Sequence, residues 1–314
     1  NYLGYMWADR GERLDEALEL ISRAVELEPD NPQSHYFLAV ALWLRGMDEF
    51  DTSGDQEAVD HLKEVTALAP KYQPGYQIQG AIYLQVGQYD RARELMEKGA
   101  VIEEAGEFDL GRFVGAIGGL ARVVFRQGDL EGASQYLDDA FRISGETEHV
   151  YTPACNALAH CWRGELLMRQ RRREEALQAF RAAQEQVYRS PRSLGIGWPL
   201  LRSHLGLAHC FHDLRMRREA ESSFQQAVSM LEAKADYDFS GLWDSGDAQI
   251  HMEMASYLAS THRVDAALEM MEKAVECGWR EAPRLDSDPS FDTMRNEPRF
   301  RQIQAELAAR PQLV

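Results

Sequence analysis

Residues 80–99, GAIYLQVGQYDRARELMEKG, carry the pattern that decides the fold of this 314-residue chain. Gly80 stands before the turn-forming sequence GQY (residues 87–89), and Ala92 and Met96 follow it. Offsets of three, four and seven residues place the small and the large apolar side chains on one face of each helix. Small residues let two helices approach closely, and large ones fill the space between them. The stretch therefore predicts two helices joined by a tight turn.

The same pattern recurs along nearly the whole chain. Alanine takes the central place of the second helix in seven units, at Ala17, Ala58, Ala92, Ala133, Ala176, Ala220 and Ala267. Four residues after each alanine stands a large apolar residue, namely Ile21, Leu62, Met96, Leu137, Phe180, Phe224 and Met271. One hairpin cannot bury its apolar face alone, so neighbouring hairpins must stack and share a core.

The pattern resembles the tetratricopeptide repeat, a helix–turn–helix unit with a period of about 34 residues. The resemblance implies an all-α fold, a right-handed superhelical solenoid of about seven units over residues 1–278. Only Ala58 and Ala92 have the standard spacing of 34 residues, and the lengthened repeats are similar to those of bacterial sensor and scaffold proteins. We interpret residues 279–314 as a C-terminal cap over the exposed end of the stack, because terminal units need an atypical outer face.

Composition limits the classes of partner. The chain has 34 basic and 51 acidic residues and a net charge of −17, which argues against non-specific attraction to nucleic acid or anionic lipid. Its four cysteines form no C-x-x-C motif, which is typical of free thiols in a reducing compartment, and we expect a cytoplasmic protein. We find no apolar run of membrane-spanning length and expect no membrane association.

The sequence contains no motif that indicates an enzyme. A nucleophile elbow, a phosphate-binding loop and a zinc-ligand set are all missing from the sequence, so we predict neither catalysis nor a cofactor. His209 and His212 stand three residues apart on one predicted helix face, and two imidazoles with a nearby carboxylate would suit a metal. No motif such as H-E-x-x-H supports that alternative, so we predict polar lining of a groove and no metal site.

The resemblance further implies that the first helix of each unit lines a concave groove. Its ligand-contacting stripe corresponds here to Tyr5, Tyr36, Trp43, Gln77, Leu84, Arg122, Phe125, Arg126, Glu165, Met168, Arg169, Arg202, His209 and His212. Arginine and aromatic residues supply most binding hot spots, and guanidinium groups suit carboxylates. We therefore predict that the groove binds a protein or peptide segment, for which acidic residues would suit the arginines. The array would be the interaction or regulatory part of a longer bacterial signalling or assembly protein.

A second basic feature is predicted at the turns within the later units. We call it the basic edge, and it consists of Arg171, Arg172, Arg173, Arg215, Arg217, Arg218 and Arg263. Stacking of successive units should align these turns along one side of the solenoid. A solvated turn edge explains such charges, and the alternative is that the edge binds nucleic acid or an acidic partner.

Overall fold

The computed structural model describes residues 2–10, 13–48, 54–105, 115–145, 152–190, 195–233, 246–310 and 312–314. Within these ranges the regular structure is entirely helical, with fourteen α-helices arranged as seven consecutive pairs. The pairs are α1 (Tyr2–Arg10) with α2 (Leu14–Leu27), α3 (Pro32–Asp48) with α4 (Asp55–Leu68), α5 (Gln73–Gln85) with α6 (Tyr89–Ala105), α7 (Ala116–Arg126) with α8 (Leu130–Ser144), α9 (Thr152–Arg169) with α10 (Arg173–Arg189), α11 (Gly197–Asp213) with α12 (Arg217–Glu232), and α13 (Asp247–Ser260) with α14 (Val264–Glu276). The predicted all-α solenoid of helical hairpins is confirmed.

A shorter C-terminal segment follows the seventh hairpin. It contains α15 (Ala282–Ser287), a 3₁₀ turn (Pro289–Phe291) and α16 (Pro298–Ala308). The 3₁₀ turn packs on α13 and α16 packs on α14, so this segment lies against the last hairpin. Phe291 and Phe300 are completely buried, with ring centroids 6.2 Å apart.

The periodic alanines are buried between packed helices. All seven central alanines are at most 2% exposed. A Cβ atom added to Gly164 on α9 would lie 2.5 Å from the ring of Phe180, and one added to Gly206 on α11 would lie 2.2 Å from it. The ring of Phe180 therefore packs against two glycines on neighbouring hairpins, which ties one unit to the next.

The turn within each later hairpin uses one recurring geometry. Gly87 and Gly128 have φ angles of 75° and 87°, and Arg171, Arg215 and His262 take the same left-handed conformation at φ near 60°. All five stand five residues before a central alanine. In each turn the next residue donates its N–H to a carbonyl five residues back, as Gln88 does to Tyr83 at 2.9 Å. This hydrogen bond is the mark of the Schellman motif, which ends a helix.

The N-terminus of α7 is capped by a carboxylate from the preceding hairpin. Glu103 of α6 accepts hydrogen bonds from the N–H groups of Gly115, Ala116 and Ile117 at 2.8, 2.7 and 3.0 Å, and from the Gln73 amide at 2.6 Å. Negative charge at a helix N-terminus is favourable, because the first N–H groups have no partner within the helix. Burial raises the pKa of Glu103 to about 7 even though these hydrogen bonds oppose the rise.

Candidate partner-binding groove

The aromatic residues at the front of the predicted groove pack on one another. The rings of Tyr5 and Phe37 are stacked at 4.8 Å, and the Tyr5 hydroxyl lies 2.6 Å from that of Ser34. Tyr36 meets Phe37 and Tyr72 edge-on, both at 5.2 Å. The side chains of Tyr5 and Tyr36 are half-buried, so part of each remains accessible to solvent.

Three other predicted groove residues are buried in the array. Trp43, Gln77 and Leu84 are at most 4% exposed. The Trp43 indole donates to the Gln85 side chain at 3.0 Å, and Gln77 accepts from Gln73 at 3.0 Å. Direct partner contact was predicted for all three from the family stripe, but here they are buried, and Trp43 joins α3 to α5.

Most of the groove arginines are paired with glutamates of the chain itself. We call this set the arginine–glutamate network, and it contains Arg122, Arg126, Arg202, Glu165, Glu253 and Glu281. Arg122 pairs with Glu165, and Arg202 bridges Glu165 at 3.2 Å and Glu253 at 2.6 Å. The side chains of Arg122 and Arg202 are each only 1% exposed. Burial alone would raise the pKa of Glu165, but the two guanidinium groups hold it well below its ordinary value.

Arg126 is paired with the C-terminal segment. Its Nε lies 2.6 Å from Glu281 Oε1, and the two side chains are 7% and 6% exposed. The Tyr89 hydroxyl donates to the same Glu281 oxygen at 3.1 Å. Burial, followed by the charge of Glu281, raises the pKa of Tyr89 far above its ordinary value, so the hydroxyl keeps its proton and remains a donor.

The expectation that the groove arginines face a partner is corrected by these contacts. Arg122, Arg126 and Arg202 are buried and face carboxylates of α9, α13 and the C-terminal segment. Three negative charges neutralise the three positive ones, so the network is internally balanced. Of the four arginines predicted in the groove, Arg169 has an exposed side chain, and its guanidinium lies 5.7 Å from the centre of the Phe125 ring.

Phe125 is the common neighbour of the groove arginines. The guanidinium carbons of Arg122 and Arg126 lie 5.7 and 5.9 Å from its ring centre, in addition to that of Arg169. Cations within about 6 Å of an aromatic ring are attracted to its face. The half-buried ring therefore joins the buried network to the exposed Arg169.

The predicted groove residues of α9 and α11 are also partly covered. His209 and His212 both meet the ring of Tyr257 edge-on, at 5.3 and 6.5 Å, and burial lowers the pKa of His209. The sulfur of Met168 lies 3.3 Å from that of Cys210. Among the residues that the structure describes, no group of three or more histidine, cysteine or acidic side chains is placed to hold a metal ion.

The C-terminal segment also contacts earlier units, which the sequence interpretation missed. Arg280 pairs with the buried Asp55 of α4. A Cβ atom on Gly87, in the turn between α5 and α6, would lie 2.5 Å from Pro283. With the Arg126–Glu281 pair, these contacts show that the segment crosses from the seventh hairpin to the second, third and fourth. No residue spacing signals these contacts, because they join positions 155 to 225 residues apart in sequence.

The basic edge is partly neutralised in the structure. Arg172 pairs with Glu175 at 2.6 Å, Arg173 with Asp213 at 2.9 Å, and Arg263 with Glu221 at 3.4 Å. The pairs of Arg173 and Arg263 join neighbouring hairpins, which places successive turns side by side. The exposed members of the edge outside these pairs are Arg171, Arg215, Arg217 and Arg218.

Three of the four cysteines have thiols that are not activated. Cys155, Cys161 and Cys210 are buried, and burial raises the pKa of all three thiols, to about 12 for Cys155 and Cys210. A thiol that keeps its proton is a poor nucleophile. None of the described helices is both long and apolar enough to cross a bilayer.

Comparison with known proteins supports the repeat fold. The family model for the tetratricopeptide repeat matches residues 8–48. A chain of the APC/C hetero-tetramer Cut9–Hcn1 aligns with a TM-score of 0.58 and 15% identity over 94% of this chain and 46% of its own. Human IFIT1, solved as a dimer with PPP-AAAA, aligns with a TM-score of 0.53 and 15% identity over 95% of this chain and 69% of its own. PilF of Pseudomonas aeruginosa aligns with a TM-score of 0.50 and 16% identity over 75% of this chain and 95% of its own.

These similarities identify the fold and leave the activity open. No curated protein is significantly similar to the chain in sequence. The chain spans less than half the length of the Cut9–Hcn1 chain that it matches.

Proposed function

We propose that this chain, an array of tetratricopeptide repeats, is a non-enzymatic scaffold that binds a segment of a partner protein in its concave groove. In this proposal the array is the interaction or regulatory part of a longer bacterial signalling or assembly protein in the cytoplasm. One fold hosts many functions, so the proposal rests on the chemistry of the groove.

The observation that carries the proposal is the ion pair between Arg126 and Glu281. A carboxylate on a separate segment of chain lies against the guanidinium of Arg126, a residue of the predicted groove, and against the Tyr89 hydroxyl. The groove is therefore suited to bind an acidic side chain, and its own C-terminal segment provides one. A partner would replace Glu281 with an acidic residue of its own.

Exchange of the two carboxylates can be tested with a partner identified by cross-linking in the source cells. Glu281→Gln weakens the internal competitor, so we expect it to raise the affinity for that partner. Adding Arg126→Gln to this variant removes the shared guanidinium and should return the affinity to the wild-type value or below it. Arg181→Gln is the matched control, because Arg181 is an exposed arginine on α10. Equal affinity of all four proteins would exclude the groove as the binding site.

A second candidate function is nucleic-acid binding at the basic edge. Arg171 and Arg215 are exposed in two turns, Arg217 and Arg218 are exposed at the start of α12, and the Arg173–Asp213 pair joins the two hairpins. Human IFIT1, a similar fold, was solved with PPP-AAAA. Binding through four arginines predicts that the affinity for duplex DNA falls with salt with a log–log slope of at most about 4. Absence of binding to RNA and DNA at low ionic strength would exclude this candidate.

A further inference from the structure

Residues 312–314 lie in a site formed by side chains of the second and third hairpins. Gln56 on α4 accepts the N–H of Val314 at 2.8 Å and donates to its main-chain oxygen at 3.3 Å. One primary amide thus pairs with both main-chain groups of one residue, as a neighbouring β-strand would. Lys63 and the Tyr83 hydroxyl donate to the same oxygen, at 2.9 and 3.3 Å.

The main-chain oxygen of Leu313 is bound in a similar way. Gln88 donates to it at 3.0 Å and Arg91 at 2.9 Å. The side chain of Leu313 is 8% exposed and belongs to the apolar core, whereas Val314 is 75% exposed. The contacts therefore require an extended main chain and one leucine-sized side chain, and they leave the identity of the following residue free.

The donors of this site are held in place by neighbouring groups. Asp60 accepts from both the Gln56 amide and the Lys63 ammonium at 2.9 Å. The Arg91 guanidinium lies 5.4 Å from the centre of the Tyr83 ring, within cation–π distance. Groups that are ordered before a ligand arrives lose less entropy on binding it.

We propose that this site binds an extended segment of a partner protein that carries a leucine-sized residue, and that residues 312–314 are its internal occupant. Five side chains that bind main-chain atoms form a peptide-recognition surface, because main-chain hydrogen bonds give affinity and a side-chain pocket gives specificity. The site shares no residue with the arginine–glutamate network. It therefore stands independently of the function proposed for the groove.

The internal occupant weakens binding of a free peptide by a predictable factor. A short tether gives a local concentration on the order of 1 mM. Against a peptide whose intrinsic Kd is on the order of 100 µM, a competitor at that local concentration weakens the apparent affinity about ten-fold. A variant whose residue 313 does not bind in the site should bind the free peptide with the intrinsic affinity of the site.

The test is fluorescence anisotropy of a labelled, C-terminally amidated peptide ARPQLV, which copies residues 309–314. We expect the full chain with Leu313→Asp to bind this peptide about ten-fold more tightly than the wild-type chain does. Adding Gln56→Ala removes two main-chain hydrogen bonds and should lower the affinity again by about ten-fold. Gln178→Ala in the same background is the matched control, since Gln178 is exposed on α10. A peptide with aspartate in place of leucine should not bind.

Two results would overturn the proposal. One is equal affinity of the wild-type and Leu313→Asp chains for the peptide, and the other is no effect of Gln56→Ala. If Leu313→Asp loses helical circular dichroism, the wild-type chain provides the test. Saturating unlabelled ARPQLV should then accelerate amide exchange at Val314 by displacing it from Gln56, and unchanged exchange would contradict the proposal.

Discussion

His160 on α9 is half-buried, with its ring centre 4.5 Å from that of Phe141. Burial, assisted by the charge of Arg163, lowers its pKa from 6.5 to about 4. Above pH 6.5 the ring is neutral in both the folded and the unfolded chain. As the pH falls from 6.5 to 4 the unfolded chain binds the proton first, so stability is lost and the loss is complete below 4.

We therefore expect this histidine to contribute to acid sensitivity. The free energy of unfolding should fall by roughly 2–3 kcal/mol between pH 6.5 and pH 4 through His160. His160→Phe keeps an aromatic ring against Phe141 and should lose less stability over that interval. Urea titrations at a series of pH values provide the measurement, and identical profiles for the two proteins would contradict the account.

The sequence predicts the conformation of a residue where a local pattern determines it. Gly87 and Gly128 mark left-handed turns, and the spacing to the central alanine places Arg171, Arg215 and His262 in the same position. Non-glycine residues in that conformation carry a cost of about 1–2 kcal/mol, so composition alone would not have placed them there. The partners of Arg122 and Arg202 could not be predicted, because Glu165 and Glu253 lie on other hairpins.

At the scale of the helix, the apolar periodicity of the sequence predicts the hairpins, but it does not predict every N-terminal helix cap. Asp129 caps α8 through a local hydrogen bond to the N–H of Gly132 at 2.8 Å, in a spacing that a sequence shows. Glu103 caps α7 from the preceding helix, twelve residues before Gly115. No sequence motif connects those two positions, since the carboxylate reaches α7 only after the hairpins have packed.

We expect removal of the two caps to lower the free energy of unfolding by different amounts. Asp129→Ala removes an exposed cap and should cost about 1 kcal/mol. Glu103→Ala leaves three N–H groups in a buried place without their acceptor, so we expect a loss of at least about 2 kcal/mol. Amide hydrogen exchange at residues 115–117 should accelerate in Glu103→Ala and stay unchanged in Asp129→Ala. Equal exchange at residues 115–117 in both variants would contradict the assigned role of Glu103.

At the scale of the whole molecule, the C-terminal segment contacts more than the last hairpin. Residues 279–314 were predicted to cap the last hairpin, and α16 does pack on α14. The segment also reaches Asp55, Gly87 and Arg126 in earlier units. Its reach depends on the curvature of the solenoid, which is the sum of small rotations between neighbouring repeats and is not encoded in an apolar pattern.

Two glycines in equivalent turns provide a test of this reach. Gly87 and Gly128 both have positive φ angles, so alanine at either position should cost about 1–2 kcal/mol. A Cβ atom on Gly128 would meet nothing within 4 Å, whereas one on Gly87 would collide with Pro283. Gly87→Ala should therefore lower the free energy of unfolding by a further 1–3 kcal/mol or so. Equal losses in urea denaturation would show that Pro283 does not press on this turn.

The most direct test of the proposal that the C-terminal segment occupies the predicted groove is a double-mutant cycle on Arg126 and Glu281. The two side chains lie on the fourth hairpin and the C-terminal segment and meet at 2.6 Å, almost completely buried. The cycle compares the free energies of unfolding of the wild type, Arg126→Gln, Glu281→Gln and the double variant. If the C-terminal segment occupies the predicted groove, we expect a coupling energy of about 1–3 kcal/mol between the two side chains. A coupling energy indistinguishable from zero would mean that the segment does not occupy the groove.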